Sequence, residues 1–229
     1  MLKVATYNVH QWIGRDGRRD PDRVVKVIHE LQSDIIALQE VTLPLGQSDD
    51  VDGDLLEKRT GRRTVLGPTF FRGNQSFGNV LLTSRPILKV RRIDLSVTAR
   101  EPRGALDVLV GVDGVPVRII AAHLGLRSQE RSFQIGRLLE AASLETEVLT
   151  VIMGDFNAWF PGSAVLRKIK RLFGPSPRIG TYPARFPILP LDRIWARPAA
   201  RLVDVQAHRS PLAGQASDHL PLKAKIVMI

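Results

Sequence analysis

The sequence predicts an α/β fold in which two β-sheets carry helices on their outer sides. Three observations lead there. About ten short runs of β-branched and other apolar residues alternate with two or three helical segments. No internal repeat or low-complexity linker interrupts the 229 residues. Apolar residues make up 44% and charged residues 24%, near the globular average, so one large core is within reach. The chain is therefore read as a single domain over residues 1–229.

Leu2 to Asn8 reads as the first strand, a β-branched and aromatic run ending in polar Asn8 and His10. Asp20-Pro21 then offers an N-cap and a proline at the first helical position, and Val24, Val27, Ile28 and Leu31 place one apolar face on the helix that follows. Ile35 to Val41 is a buried-type strand broken only by Glu40. Residues 42–54, with Asp49, Asp50, Asp52 and Asp54, read as an exposed loop; a calcium loop is rejected because the terminal acid is missing at the required spacing. Strands are expected at Thr64–Phe70, Asn79–Thr83, Leu88–Leu95 and Ala105–Val112. The last of these meets Val115–Ala122 across Asp113-Gly114, a hairpin signal. A helix is expected from Ser128 to about Ser143, then a buried strand at Val148–Met153 running into Gly154-Asp155-Phe156-Asn157. A short helix near Ser163–Phe173 precedes a proline-rich loop, Pro175 to Pro190, in which missing ladder donors forbid regular structure. Leu191–Trp195, Leu202–Ala207 and Lys223–Ile229 complete the strands.

The 33 cations against 23 acids leave a formal charge of +10, and 25 of those cations are Arg. The forked guanidinium matches phosphate oxygens two at a time, so anionic partners are expected. The absence of Cys excludes disulfides, thiolate metal sites and a cysteine nucleophile. Apolar stretches such as Ile35–Leu38 and Ile119–Ala122 are far shorter than the roughly 18 residues of a membrane span. The N-terminus lacks the uninterrupted apolar core of a secretory signal. The chain is read as a soluble, cytoplasmic monomer with no transmembrane segment, with a peripheral seat on the inner membrane face open to it.

Polar residues interrupt the strands at consistent places. Asn8, Glu40, His123, Asp155 with Asn157, Asp192, and Asp218 with His219 each sit at or just past the end of an apolar run. A carboxylate at a buried strand end must be paired or hold a cation. One such residue alone is explained by a salt bridge or a turn; the whole set points to a shared destination. Oxygen donors suit Mg²⁺ or Mn²⁺ better than zinc, and a hard cation beside Asp and His can orient water and neutralise phosphate oxygens. Phosphoester hydrolysis is the leading reaction class.

The ordered pieces Thr6-Tyr7-Asn8-Val9-His10, Leu38-Gln39-Glu40-Val41, Gly78-Asn79-Val80-Leu81-Leu82, Ala122-His123-Leu124, Gly154-Asp155-Phe156-Asn157, Leu191-Asp192-Arg193-Ile194 and Ser217-Asp218-His219 resemble the endonuclease/exonuclease/phosphatase superfamily. The resemblance implies the deoxyribonuclease I-like fold, a four-layer α/β sandwich with two central, mostly antiparallel sheets and the site at one edge. It further implies Glu40 as principal Mg²⁺ ligand (Mn²⁺ being possible), with Asn8 beside it and Asp218 supporting the metal. Asp155 would orient and help deprotonate the attacking water, while Asn157 holds the water or a phosphate oxygen. Asp192 would fix the imidazole of His219 against the phosphoryl oxygen, and His123 would donate to the phosphate or assist the leaving group. Asn79 and Arg103 resemble substrate-phosphate contacts. Gln129, Arg131 and Gln134 are read as structural, tying their helix to the loop after His123.

Departures from the pattern bear on substrate. No acid lies between Thr60 and Ile93 to pair with His123, and the stretch Leu124-Gly125-Leu126-Arg127-Ser128 lacks the Tyr and Asn-Gly loop of apurinic endonucleases. The chain is closer to a compact bacterial phosphodiesterase or sphingomyelinase-like branch. Phospholipid headgroups or other small phosphoesters are the leading substrates, and a DNA or RNA nuclease is the alternative. Either a nucleic acid or an anionic membrane surface would suit the basic charge. Phe173, Tyr182, Phe186, Ile188 and Leu189 are apolar groups that could enter a lipid interface or stack on bases. A catalytically silent anion-binding scaffold is the reading from another class, and the intact set Glu40, Asp155 and His219 speaks against it.

Overall fold

The computed structural model describes residues 1–45, 52–143 and 148–228. In chain order its elements are β1 (Leu2–Asn8), α1 (Pro21–Leu31), β2 (Ile35–Pro44), α2 (Gly53–Thr60), β3 (Arg63–Arg72), β4 (Gln75–Thr83), β5 (Ile87–Asp94) and β6 (Gly104–Val112). Then come β7 (Val115–His123), α3 (Ser128–Ser143), β8 (Leu149–Asp155), α4 (Ala164–Phe173), β9 (Asp192–Arg197), β10 (Leu202–Ala207), α5 (Ala213–Ala216) and β11 (Leu222–Ile226). One sheet has the order β10-β11-β1-β2-β4-β3 and the other β5-β6-β7-β8-β9.

Each sheet is antiparallel except for one parallel pair, β1 with β2 and β7 with β8. A parallel pair needs a crossover, and α1 and α3 supply the two. Leu2, Val4, Ile35, Ala37 and Leu81 of the first sheet meet Val108, Ile119, Val151, Met153 and Ile194 of the second in a shared core. The residues between them face outward: Ala5, Tyr7, Ile36 and Leu38 onto α1, and Ile120, Ile152 and Trp195 onto α3 and α4. Helix, sheet, sheet, helix is thus the layer order, the four-layer sandwich expected. Among the described residues no helix is long and apolar enough to cross a membrane.

Local chemistry explains the element ends. The Asp20 side chain accepts from the Arg23 amide and Pro21 opens α1, whose Val24, Val27, Ile28 and Leu31 are buried as the spacing predicts. The expected loop over 42–54 is corrected at both ends. β2 continues to Pro44, and Asp52 caps α2 by accepting from the Leu55 amide at 2.7 Å. Only Leu56 and Thr60 of that short helix are buried, too few to print an apolar period on the sequence. Asp49 and Asp50 lie outside the described residues. β3 and β4 also outrun their expected bounds and meet at a tight turn where Gly73 takes a positive φ of 56°. The extension of β4 carries Phe77, which stacks on Phe70 at the end of the expected β3 with ring centroids 4.7 Å apart. Phe173 is corrected too: it is the last residue of α4 and is buried in the core between that helix and the second sheet rather than offered to an interface. Arg131 and Gln134 hold the loop after His123 through the carbonyl and amide of Gly125, as expected, whereas Gln129 is exposed.

Candidate active site

The period-two alternation of the strands carries five polar side chains into one cleft. Along β8, Val151 and Met153 face the shared core, so Asp155, two residues on, faces the same way at the sheet edge. The same step takes Val4 past Thr6 to Asn8, Ala121 to His123, Leu81 back to Asn79 and Ile194 back to Asp192. Strand register then places His123 and Asp192 on either side of Asp155. Glu40 is different. Simple alternation would turn it toward α1, but the β2–β4 register breaks between Leu38 and Val41, and Glu40 takes a φ of 54°. This bulge re-aims its carboxylate into the cleft.

Asp155 is the hub. Its Oδ1 accepts from the Asn157 amide at 2.9 Å and its Oδ2 from Asn8 Nδ2 at 3.1 Å. The same Asn8 nitrogen donates to Glu40 Oε1 at 3.0 Å, so one amide joins the two carboxylates across the two sheets. His123 Nε2 and His219 Nε2 lie 3.7 and 3.8 Å from Asp155 Oδ2. His219 Nδ1 is 2.8 Å from Asp192 Oδ2, which also accepts from the Thr181 hydroxyl at 2.6 Å. Ser217 donates to the Asn8 carbonyl at 2.7 Å and accepts from the His219 amide, fixing the loop that carries Asp218 and His219 onto β1. Asp218 reaches His10 Nδ1 at 3.8 Å.

Arg103 donates from Nη1 to His123 Nδ1 at 2.8 Å and pairs through Nη2 with Glu101 at 2.9 Å. A guanidinium only donates, so Nδ1 is the acceptor and neutral His123 carries its hydrogen on Nε2, facing Asp155 and Glu40. Burial, then the charges of Arg103 and His219, hold the His123 pKa well below its ordinary value. His219 behaves oppositely. Burial opposes its charge, but Asp192, through charge and hydrogen bond, together with Asp155 and Asp218, pushes it up to about 10. Burial also raises Asp155, to about 6, against the pull of His219. At neutral pH the cleft thus holds a neutral imidazole, an imidazolium and a carboxylate within reach of one point.

Asn79 donates to the Gly104 carbonyl at 2.8 Å, tying the first sheet to the second beside Arg103. The cavity over these residues measures about 340 Å³. Phe70, Phe77 and Arg72 form one wall, with Arg72 within 6.0 Å of both ring centroids. Trp159 and Tyr182 form the opposite wall, and the Tyr182 ring lies 4.9 Å from that of His219. Thr181 and the Phe70–Phe77–Arg72 wall were invisible to sequence reasoning: Thr181 is one polar residue in a proline-rich loop, and the wall exists only once β3 and β4 pair. Ser217 was visible only as part of its tripeptide.

The family's sequence profile for endonuclease/exonuclease/phosphatase proteins matches residues 5–219. The chain belongs to the endonuclease/exonuclease/phosphatase family. The members of this family are phosphoester hydrolases. A full-length relative, the Escherichia coli protein called uncharacterized protein YbhP, is 28% identical over 98% of this chain and 96% of its own length. The same fold occurs in the human nocturnin catalytic domain with bound sulfate, at 21% identity and a TM-score of 0.74, covering 99% of this chain and 93% of that one. A mannosyl-6-phosphatase from Bacteroides thetaiotaomicron has a TM-score of 0.73 at 15% identity, with all of both chains covered.

Two predictions arise from this family site. Gly154 precedes Asp155 with a φ of 149°, and an added Cβ would stand 1.8 Å from the Ala122 carbonyl oxygen of the neighbouring strand. Gly154→Ala is expected to cost at least about 2 kcal/mol in denaturant unfolding, because rigid backbone must move to relieve the overlap. The second concerns pH. A folded-state pKa raised above the unfolded value means that the His219–Asp192 pair contributes its full stability below about pH 6.5. That contribution is lost as pH rises through about 10. In the presence of a chelator, denaturant midpoints of wild type should fall across this window, and Asp192→Asn should flatten the slope.

Proposed function

We propose that the chain hydrolyses a phosphodiester by in-line attack of water, assisted by a divalent cation. The observation that carries this reading is the hub at Asp155: a buried carboxylate held by Asn8 and Asn157, with one neutral and one protonated imidazole facing it. The donor set suits a hard cation. Glu40 and Asp155 share a single amide hydrogen-bond donor, Asn8 Nδ2, and Glu40 and Asp218 offer carboxylate oxygens; Asn8 would offer its Oδ1, which here accepts from the His10 amide at 3.0 Å. Asp155, Asp192 and His219 also place ligand atoms within 4.8 Å of one another, but Asp192 is already engaged by His219 and Thr181. Glu40 is accordingly the principal ligand, with Asn8 beside it and Asp218 in support. Bound there, Mg²⁺ or Mn²⁺ would neutralise phosphate oxygens and the departing alkoxide.

The protein groups do the rest. Asp155 orients the water and takes its proton as the oxygen–phosphorus bond forms. His219, held by Asp192, donates from Nε2 to the phosphoryl oxygen that gains charge. His123, neutral, donates a hydrogen bond from Nε2 to a second phosphate oxygen. Asn157 holds the water or an oxygen, and Asn79 and Arg103 receive the remaining anionic edge.

A cavity of about 340 Å³ between two aromatic walls favours a small phosphoester or a phospholipid headgroup over a duplex. The nuclease reading has one observation in its favour: Phe70, Phe77 and Trp159 offer ring faces on which bases can stack. A panel of chromogenic diester, phospholipid headgroup esters, inositol phosphates, supercoiled plasmid and abasic duplex, each with Mg²⁺ or Mn²⁺, separates the two. Turnover of headgroup esters with intact plasmid is the expected result. Failure of every ester with either metal would leave an anion-binding scaffold instead.

A further inference from the structure

The 36 residues from Phe156 to Leu191 contain no Asp or Glu and six cations: Arg167, Lys168, Lys170, Arg171, Arg178 and Arg185. The same stretch exposes large apolar side chains, with Phe160 and Ile188 each 76% accessible, Phe186 67% and Trp159 42%. Leu126, at 66%, joins them from the loop after β7 and lines the same cavity as Trp159.

These groups belong to one rim. Trp159 packs edge-on against Tyr182, with centroids 6.2 Å apart. Tyr182 pairs with Leu189 across the turn that presents Phe186 and Ile188, which is closed by hydrogen bonds from Phe186 to Pro183 and from Leu189 to Tyr182. Cations are interleaved with the apolar groups. The Arg185 guanidinium lies 5.5 Å from the Phe186 ring centroid, Arg167 donates to the Gly162 carbonyl just after Phe160, and Arg127 follows Leu126 in the chain.

Exposed apolar groups gathered at one place mark a contact surface, and cations without acids select an anionic one. We propose that this rim seats the protein on an anionic phospholipid bilayer. The apolar tips enter the interface, Arg127, Arg167 and Arg185 meet headgroup phosphates, and the mouth of the cleft opens onto the membrane. Ile188 and Leu126 favour lipid over nucleic acid, because an aliphatic side chain has no π face for a base but gains from any apolar surroundings. Pro183, Pro187 and Pro190 fix backbone angles in the presenting turn, so less freedom is lost on docking. The seating needs neither metal nor turnover; only its bearing on substrate rests on the proposed function.

The test is binding to vesicles of phosphatidylcholine with phosphatidylglycerol, in a chelator. Trp12 and Trp195 are buried, so emission changes report Trp159. The expected result is a blue shift with anionic vesicles, quenching by brominated acyl chains, and binding at least about tenfold weaker to pure phosphatidylcholine. The triple variant Phe160→Ser, Phe186→Ser, Ile188→Ser should bind anionic vesicles at least about tenfold more weakly, with an unchanged circular dichroism spectrum and an unchanged rate on a soluble diester. A wild type that does not bind, or a triple variant that binds like wild type, overturns the proposal. So does a blue shift with a single-stranded oligonucleotide and none with vesicles, which would reassign the rim to nucleic acid. Loss of all esterase activity in the substrate panel leaves vesicle binding unaffected, so the two readings fail separately.

Discussion

Alanine at Glu40 or at His219 is expected to lower hydrolysis of a phosphodiester by at least about two orders of magnitude while leaving the protein folded. The two substitutions act on different parts of the same transition state. Glu40 is half-buried on a bulge and accepts from Asn8 at 3.0 Å, so its removal opens no cavity in the core. What goes is the carboxylate assigned to the cation. His219 is buried between Asp192 and Asp155, and its removal deletes the imidazolium facing Asp155 while leaving Asp192 without its cationic partner. The Glu40→Ala defect should appear in kcat and in the apparent metal affinity, with added Mg²⁺ restoring part of the rate. The His219→Ala defect should appear in kcat alone, without recovery at high metal. Steady-state kinetics across a metal titration reads both, and wild-type rates in either variant would overturn the site assignment.

The largest effect on stability is expected far from the cleft. Arg118 on β7 is 1% exposed, and it grips Asp107 of β6 in two parallel hydrogen bonds, Nε to Oδ1 at 2.8 Å and Nη2 to Oδ2 at 2.6 Å. Nη2 also donates to the Ala141 carbonyl in the last turn of α3, so the guanidinium fastens the helix to the sheet beneath it. Asp107, itself buried, receives Arg91 as well, at 2.8 Å. Asp107→Ala leaves a buried cation without its carboxylate, a loss of about 3–5 kcal/mol. For a chain of this length that is a fall in Tm of roughly 6 to 20 °C. Replacing both partners, Asp107→Leu with Arg118→Met, should recover much of the loss, since the desolvation cost of both charges disappears with them. Denaturant unfolding of the three proteins measures it.

Most strands were legible because buried strands leave apolar runs, and α1 was legible because its cap and its apolar spacing agree. α2 was not legible, because two buried residues do not make a period and the acidic segment before it reads as loop. The far ends of β3 and β4 escaped for a related reason. They are held by the Phe70–Phe77 pair and by cross-strand bonds, neither of which shows in either strand alone. In the candidate site, Asn8, His123, Asp155 and Asp192 were visible because each ends an apolar run with a polar residue, whereas Asn79 was visible only through the family resemblance.

By itself, then, the sequence determined the α/β, two-sheet class through the local periodicity of its strands, and its ordered motifs carried the resemblance to the family and to a site at one edge of the sheets. Only the tertiary structure decided that a bulge turns Glu40 inward, that Thr181 holds Asp192, that His123 is kept neutral by burial and by Arg103 while Asp192 keeps His219 charged, and that Phe160, Phe186 and Ile188 share a rim with the cleft. The reason is the same in each case. These properties depend on distances between residues far apart in the chain and on burial of charge, and both exist only after the sheets have packed.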